Sequence, residues 1–220
     1  GEPFSDYICF VDARRSAEST SSCACAGAAV LGGMLITWFV VLLARAARSA
    51  CPVDRPPTWP KQFVLVQRRI PDAGAPVSNA TTVTYYDWDA GANLILITPD
   101  ADESDLLIDL ELNSGHSYYA SPRDQTCKKI QMPVGILRPD WLVANATFLG
   151  ASTFLGRAVV GWTKADFIDY YADAETCEPV SWYFHSMKAR FDTLAWIPNQ
   201  PAPNGSFKPP AYCGETTSAQ

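Results

Sequence analysis

The stretch Asp105-Leu-Leu-Ile-Asp-Leu-Glu-Leu-Asn113 decides the fold class. From Ile108 it alternates strictly: Ile108, Leu110 and Leu112 fall on one side, Asp109 and Glu111 on the other. A period of two puts successive side chains on opposite faces of an extended chain, so this is a half-buried strand with a core face and a solvated face. Asn113-Ser114-Gly115 then turns the chain into Ser117-Tyr118-Tyr119, a further strand.

The same grammar recurs on both sides. Phe63 to Gln67 reads as a short strand, and Thr81 to Trp88 is β-branched and aromatic. Asp89-Ala90-Gly91 supplies turn chemistry before Leu94 to Thr98 returns as the second arm of a hairpin. Downstream, Cys127 to Leu137 is expected to be extended. Phe167 to Tyr171, Pro179 to Phe184 and Phe191 to Ile197 carry strand propensity around an Ala172 to Thr176 turn. Short strands joined by turns, with no long stretch of 3.6-residue periodicity, predict a mainly β fold. The expected architecture is a curved antiparallel sheet or half-open β-barrel with at most one or two short helices, near 138–145 or 162–169. Residues 51–62 carry four Pro, which excludes a helix interior or central strand, and read as a Pro-rich linker. The single β-rich domain is then 63–213, followed by a flexible tail, 214–220.

The chain has 220 residues, enough for one domain of ordinary size, and its 12% aromatic content argues for a packed core. A net charge of −6 lacks the basic footprint that nucleic acid or an anionic membrane surface would require. Residues 1–33 read as an upstream extension outside the folded domain. Residues 34–50 hold an apolar run, Leu35 to Leu43, broken only by Thr37 and followed by Ala44-Arg45-Ala46, the grammar of a cleaved signal peptide. The rival is a signal anchor over 26–44, with Arg14 and Arg15 on the cytosolic side. Contact with a membrane is expected only in that case, and either way the domain stands in the secretory lumen or outside the cell.

Cysteine usage agrees. Cys51, Cys127, Cys177 and Cys213 follow the export segment, an even number that implies two disulfides, and four Cys allow three pairings. No Cys-x-x-Cys follows residue 50, so no metal site is expected. Three sequons, at Asn79, Asn145 and Asn204, mark expected glycosylation sites.

Catalytic signatures are weak. Asp100, Asp102, Ser104 and Glu111 imitate a calcium-binding loop, but Asp105 stands where the sharp turn needs Gly. An acidic solvated turn is the plainer account. Nucleophile elbows, zinc-protease motifs, phosphate loops and cofactor motifs are all missing from the sequence, and the two His, His116 and His185, sit beside strand aromatics. Asp87, Asp109 and Glu111 are the weak catalytic candidates, as acid–base carboxylates on a solvated sheet face. The stronger signal is aromatic. Tyr-Tyr doublets put one ring on each face of a strand, and Tyr86, Trp88, Tyr119, Tyr171 and Trp182 are expected to line an apolar cavity inside the curved sheet.

From Gly135 the motifs become specific: Gly135-Ile-Leu-Arg-Pro-Asp-Trp-Leu142, Trp162-Thr-Lys-Ala-Asp-Phe-Ile-Asp-Tyr-Tyr171, Pro179-Val-Ser-Trp182 and Pro210-Ala-Tyr-Cys213. With Tyr86-Asp87-Trp88 and Asp109 to Gly115 upstream, the series resembles a family of small secreted plant and protist proteins, mostly uncharacterised, some of which are labelled glycosyl-transferring. The chain departs from that pattern at Val159-Val160-Gly161-Trp162, where relatives carry a Cys ahead of Trp-x-Lys, and at Cys177, where they tend to carry a basic residue. More distantly, the Tyr170 to Trp182 hairpin is similar to those of half-barrel lipid carriers and ependymin-like proteins. The family leaves function open. The strand aromatics and the likeness to half-barrel carriers lead to the expectation of a secreted or lumenal binding protein that holds an apolar or lipid-like ligand in a curved sheet, with no enzymatic role assigned. The alternatives are a carbohydrate-active enzyme or lectin using Asp and Glu on the sheet, and a structural interaction domain.

Overall fold

The computed structural model describes residues 51–214; the expected extension, signal peptide or anchor, and most of the tail lie outside the described residues. Eleven strands form one antiparallel sheet: β1 (Gln62–Pro71), β2 (Ala80–Asp87), β3 (Ala92–Pro99), β4 (Leu107–Leu112), β5 (His116–Ser121), β6 (Thr126–Gln131), β7 (Thr147–Phe154), β8 (Arg157–Lys164), β9 (Ile168–Asp173), β10 (Pro179–Phe184) and β11 (Ala189–Pro198). Their spatial order is β6-β5-β4-β3-β2-β1-β11-β10-β9-β8-β7. Two meanders, β1 to β6 and β7 to β11, are thus joined where β1 pairs with β11.

This order puts β6 and β7, neighbours in sequence, at opposite edges of the sheet. If the sheet were flat, the edges would stand ten strand spacings apart, roughly 48 Å. The connection 132–146 folds into turns rather than running extended, so it spans the edges because the sheet curves. It crosses the concave face and buries Ile136, Trp141 and Leu142 there. Backbone and side-chain bonds pin it along the way. Tyr86 Oη donates to the Leu137 carbonyl (2.8 Å), Trp59 N–H to the Pro139 carbonyl (2.9 Å), and Lys164 Nζ to the Trp141 carbonyl. The expected helix near 138–145 is this set of turns, because Trp141 and Leu142 are held by tertiary packing rather than by a helical ladder. The one near 162–169 is replaced by the end of β8, a turn and the start of β9.

Gly135 starts this crossing at φ +61°, and Ile136 N–H donates to Asn113 Oδ1 (3.0 Å). A Cβ at Gly135 would collide with the Asn113 side chain and stand 3.3 Å from its Cα. Gly135→Ala combines left-handed strain with loss of that bond, and is expected to lower stability by about 1–3 kcal/mol in urea unfolding. An unchanged midpoint would mean that the crossing is not anchored at Asn113.

Residues 51–62 do not behave as a linker. Cys51 is bonded to Cys177 in the β9–β10 turn, and Trp59 lies at the centre of the core. The second disulfide joins Cys127 on β6 to Cys213, in a 3-10 turn over Ala211–Cys213, and returns the C-terminal segment to the sheet. These bonds select one of the three pairings that the sequence leaves open.

Candidate functional site

Register assigns each side chain to a face. Phe63, Tyr86, Trp182, Tyr170, Trp162 and Phe191 share the concave face with Gln67, Arg69, Thr82, Thr84, Asn93, Ile95, Asp109, Glu111 and Tyr119. That face divides into two halves. Toward β8 to β11 and β1 it is aromatic, and the chain fills it with its own Trp59 and Trp141. The Trp59 ring stacks on Trp182 (centroids 5.4 Å apart) and meets Phe63, Tyr86 and Trp141 edge-on, while its N–H donates to Tyr170 Oη (3.2 Å). Toward β3 to β6 the same face is polar and reaches solvent at Tyr119 and Leu107.

Asp109 occupies the middle of the polar half. Ile95 stands directly opposite it on β3 and Tyr119 on β5, while Asn93 and Ser117 flank Glu111 in the same way. Only 5% of Asp109 is exposed. Burial first, and the neighbouring Glu111 charge second, push its carboxyl up to about 7, against a lowering contribution from the Tyr119 phenol. Glu111 is raised by burial, with Asn93 opposing, and burial likewise raises Tyr119. Asn93 Nδ2 donates to Glu111 Oε2 (2.9 Å), which fixes the amide so that Asn93 Oδ1 is left as an acceptor. That oxygen, Asp109 Oδ1 and Thr193 Oγ1 are buried without a partner. Arg69 on β1 acts across the concavity on Tyr119 while its Nε donates to the Ser78 carbonyl (2.8 Å). On a flat sheet β1 and β5 would lie four spacings apart, roughly 19 Å, so curvature brings them toward one another.

The expectation that Asp109 and Glu111 face water is therefore corrected. Alternation tells which side chains share a face and not how deep each one sits, and here Asp109 is buried although its face reaches solvent at Tyr119 and Leu107. Leu110, on the opposite side, is fully buried. Asp87 does not join the pair. It faces away from them at the end of β2, accepting from Gln62 Nε2 (2.8 Å) and the Ala90 N–H (2.9 Å), a structural role at the β2–β3 turn.

The five expected lining rings separate. Tyr86, stacked on Phe63 (4.6 Å), and Trp182 lie inside the filled core. Trp88 borders an open hollow of about 360 Å³ with Thr58, Trp59, Lys61, Arg138, Pro139 and Asp140. Tyr171 is on the other face of β9, parallel to Phe154, and Tyr119 belongs to the polar half. The five rings thus do not line one cavity. Asn93 and Arg69 escape the sequence reading. The signal for Asn93 is its place two residues before Ile95 on the second hairpin arm; Arg69 lies beyond the end of the short strand read at 63–67. Asn79, Asn145 and Asn204 are all exposed. The acidic turn pairs internally, Asp102 and Asp105 with Arg123, and Asp100 with Arg68. Among the described residues no group of side chains fits a metal ion.

A family model described as Domain of unknown function (DUF8395) matches residues 58–213. No curated protein matches the chain. Among solved structures, it is similar to an uncharacterized conserved protein from Thermus thermophilus, with 7% identity and a TM-score of 0.48 over 69% of this chain and 86% of that one. MucB aligns at 13% identity and a TM-score of 0.41, over 70% of this chain and 58% of its own. A DUF1329 family protein from Desulfovibrio piger aligns at 9% identity and a TM-score of 0.38, over 68% and 90%.

Proposed function

The chain belongs to the DUF8395 family, and for it we propose a binding protein of an oxidising compartment that holds an amphiphilic, lipid-like ligand on the open half of the concave face. One observation carries this reading: a carboxyl only 5% exposed, with an unpaired oxygen, lies beside apolar side chains that run from buried Ile97 and half-buried Ile95 to Leu107, which is exposed. Leaving such an oxygen unpaired costs about 1–3 kcal/mol. No structural contact offsets that cost, whereas a bound polar group would. Ile95 and Ile97 on β3, Leu107 on β4 and Ile130 on β6 share this face, and they offer the ligand's apolar part a wall. Two disulfides and three exposed sequons support the location.

The test is titration of the disulfide-bonded protein with a fluorescent acyl probe. Leu107 is 40% exposed, so a charge placed there is expected to leave the sheet folded. Leu107→Asp is expected to weaken uptake by about tenfold or more, roughly 1.4 kcal/mol. Leu155→Asp, in the β7–β8 turn, is the control and should leave uptake unchanged. No uptake by the native protein, or equal loss in both variants, would remove the proposal.

A second reading, as a carbohydrate-active protein, is favoured by the Asp109 carboxyl, held up to about 7 beside Glu111, which suits a general acid. Binding on a glycan array, or hydrolysis of glycosides, lost in Asp109→Asn would establish it. A silent array with no turnover would dismiss it.

A further inference from the structure

Resting on the concave-face reading, we infer that the ligand's head group is a primary ammonium, bound between Asp109 and Glu111 with its alkyl chain running over Ile95 and Leu107. Three features of the site converge on that chemistry.

The first is hydrogen-bond polarity. Asn93 Oδ1 and Asp109 Oδ1 are both free acceptors, and the Asn93 amide cannot reverse without losing its bond to Glu111. An ammonium carries three donors and no acceptor, so it complements the set without introducing a new unpaired oxygen. The second is charge. Asp109 and Glu111 are neighbours on one face of β4, and among the described residues neither forms an ion pair. The groups that face Asp109 are Glu111 on its own strand and the Tyr119 phenol on β5, while β3 presents Ile95. Arg69, the buried cation of β1, acts on Tyr119 and is held by Ser78, and does not neutralise the pair. A carboxylate head would add a third negative charge at this point. An alcohol would satisfy acceptors and leave the charge. The third is direction. The apolar neighbours of Asp109 lie across the sheet at Ile95 and along the strand at Leu107, which is the exposed end. An alkyl chain leaving the head in that direction stays on apolar surface until it reaches solvent.

Pairing with a cation requires Asp109 to be ionised, so proton and ammonium compete. Because burial holds this carboxyl near 7, amine affinity is expected to fall as pH drops from 8 to 6. The limiting slope is about tenfold per pH unit below that value for one coupled proton.

The experiment is calorimetric titration of the full disulfide-bonded protein with dodecylamine, dodecanol and dodecanoic acid, each below its aggregation threshold. At pH 8 dodecylamine is expected to bind about tenfold or more tighter than dodecanol, with the acid weakest. Lowering the pH to 6 should weaken the amine alone. Asp109→Asn and Glu111→Gln should each abolish the preference for amine, bringing its affinity down to that of dodecanol in the same variant. Two variants are used so that misfolding of one, seen by circular dichroism, leaves the other to decide. Equal affinity for the three probes, or preference for the acid, overturns the ammonium while the concave-face site survives. No binding of any probe overturns both.

Discussion

Replacing Trp59 by Ala is expected to cost about 3–5 kcal/mol of stability, the range for emptying a large aromatic site in a core. The ring belongs to no strand. It enters from the Pro-rich segment, 7% exposed, and is contacted by Phe63, Tyr86, Trp141, Tyr170 and Trp182. Hydrogen-bonded strands fix one wall of the resulting void, and the 132–146 crossing, pinned at Tyr86, Trp59 and Lys164, fixes the other. Neither wall can collapse cheaply, which places the cost at the upper part of the range. The buried Tyr170 hydroxyl also loses its indole donor. Denaturant unfolding followed by tryptophan fluorescence measures the effect. A loss below about 1 kcal/mol would show that the core does not depend on this ring.

Asp109→Asn is expected to do the reverse and raise stability, but only above acidic pH. The carboxyl moves from 3.8 to about 7 on folding, so the native state holds its proton more tightly than the unfolded chain does. Below about pH 4 the group is protonated in both states and contributes nothing. Between there and pH 7 the unfolded chain ionises first, and stability is lost progressively as pH rises. At pH 8 the full penalty applies, on the order of 4 kcal/mol for a shift of that size. An amide of the same shape carries no such penalty, so the variant's melting temperature should exceed the native one at pH 8 and approach it at pH 4. Identical melting temperatures at both pH values would mean that Asp109 is solvated. Asp173 acts oppositely. Burial alone would raise its carboxyl, but the backbone N–H groups of Thr176 and Glu175 together with Arg157 outweigh it and lower the carboxyl, so its contribution is lost only in stronger acid.

Much of the fold is legible because extended backbone has a short period. Ile108 to Leu112 alternates in sequence and is a strand in space, and the Tyr170-Tyr171 doublet sends one ring inward and one outward. β7 escapes such a reading, since Gly150 and Ala151 dilute its propensity and it gains its conformation from pairing with β8. The site is harder to read. Asp109 and Glu111 stand out as candidates but fall on the wrong side of the water boundary, because whether a polar face is covered depends on sheet curvature. Trp59 shows the same limit from the other direction. Its prolines correctly exclude a central strand, yet nothing local reveals that residues 132–146 arrive to bury it.

The pairing of β1 with β11 has a consequence for biosynthesis. Phe63 finds its partner only at Pro198, so the first six strands emerge during synthesis with their inner margin unclaimed until the chain has been made as far as β11. During that interval β1 exposes an aliphatic, hydrogen-bond-hungry border to any other nascent copy. Maturation should therefore be late and all-at-once, and its yield should depend more on how crowded the chains are than on the stability of the finished sheet.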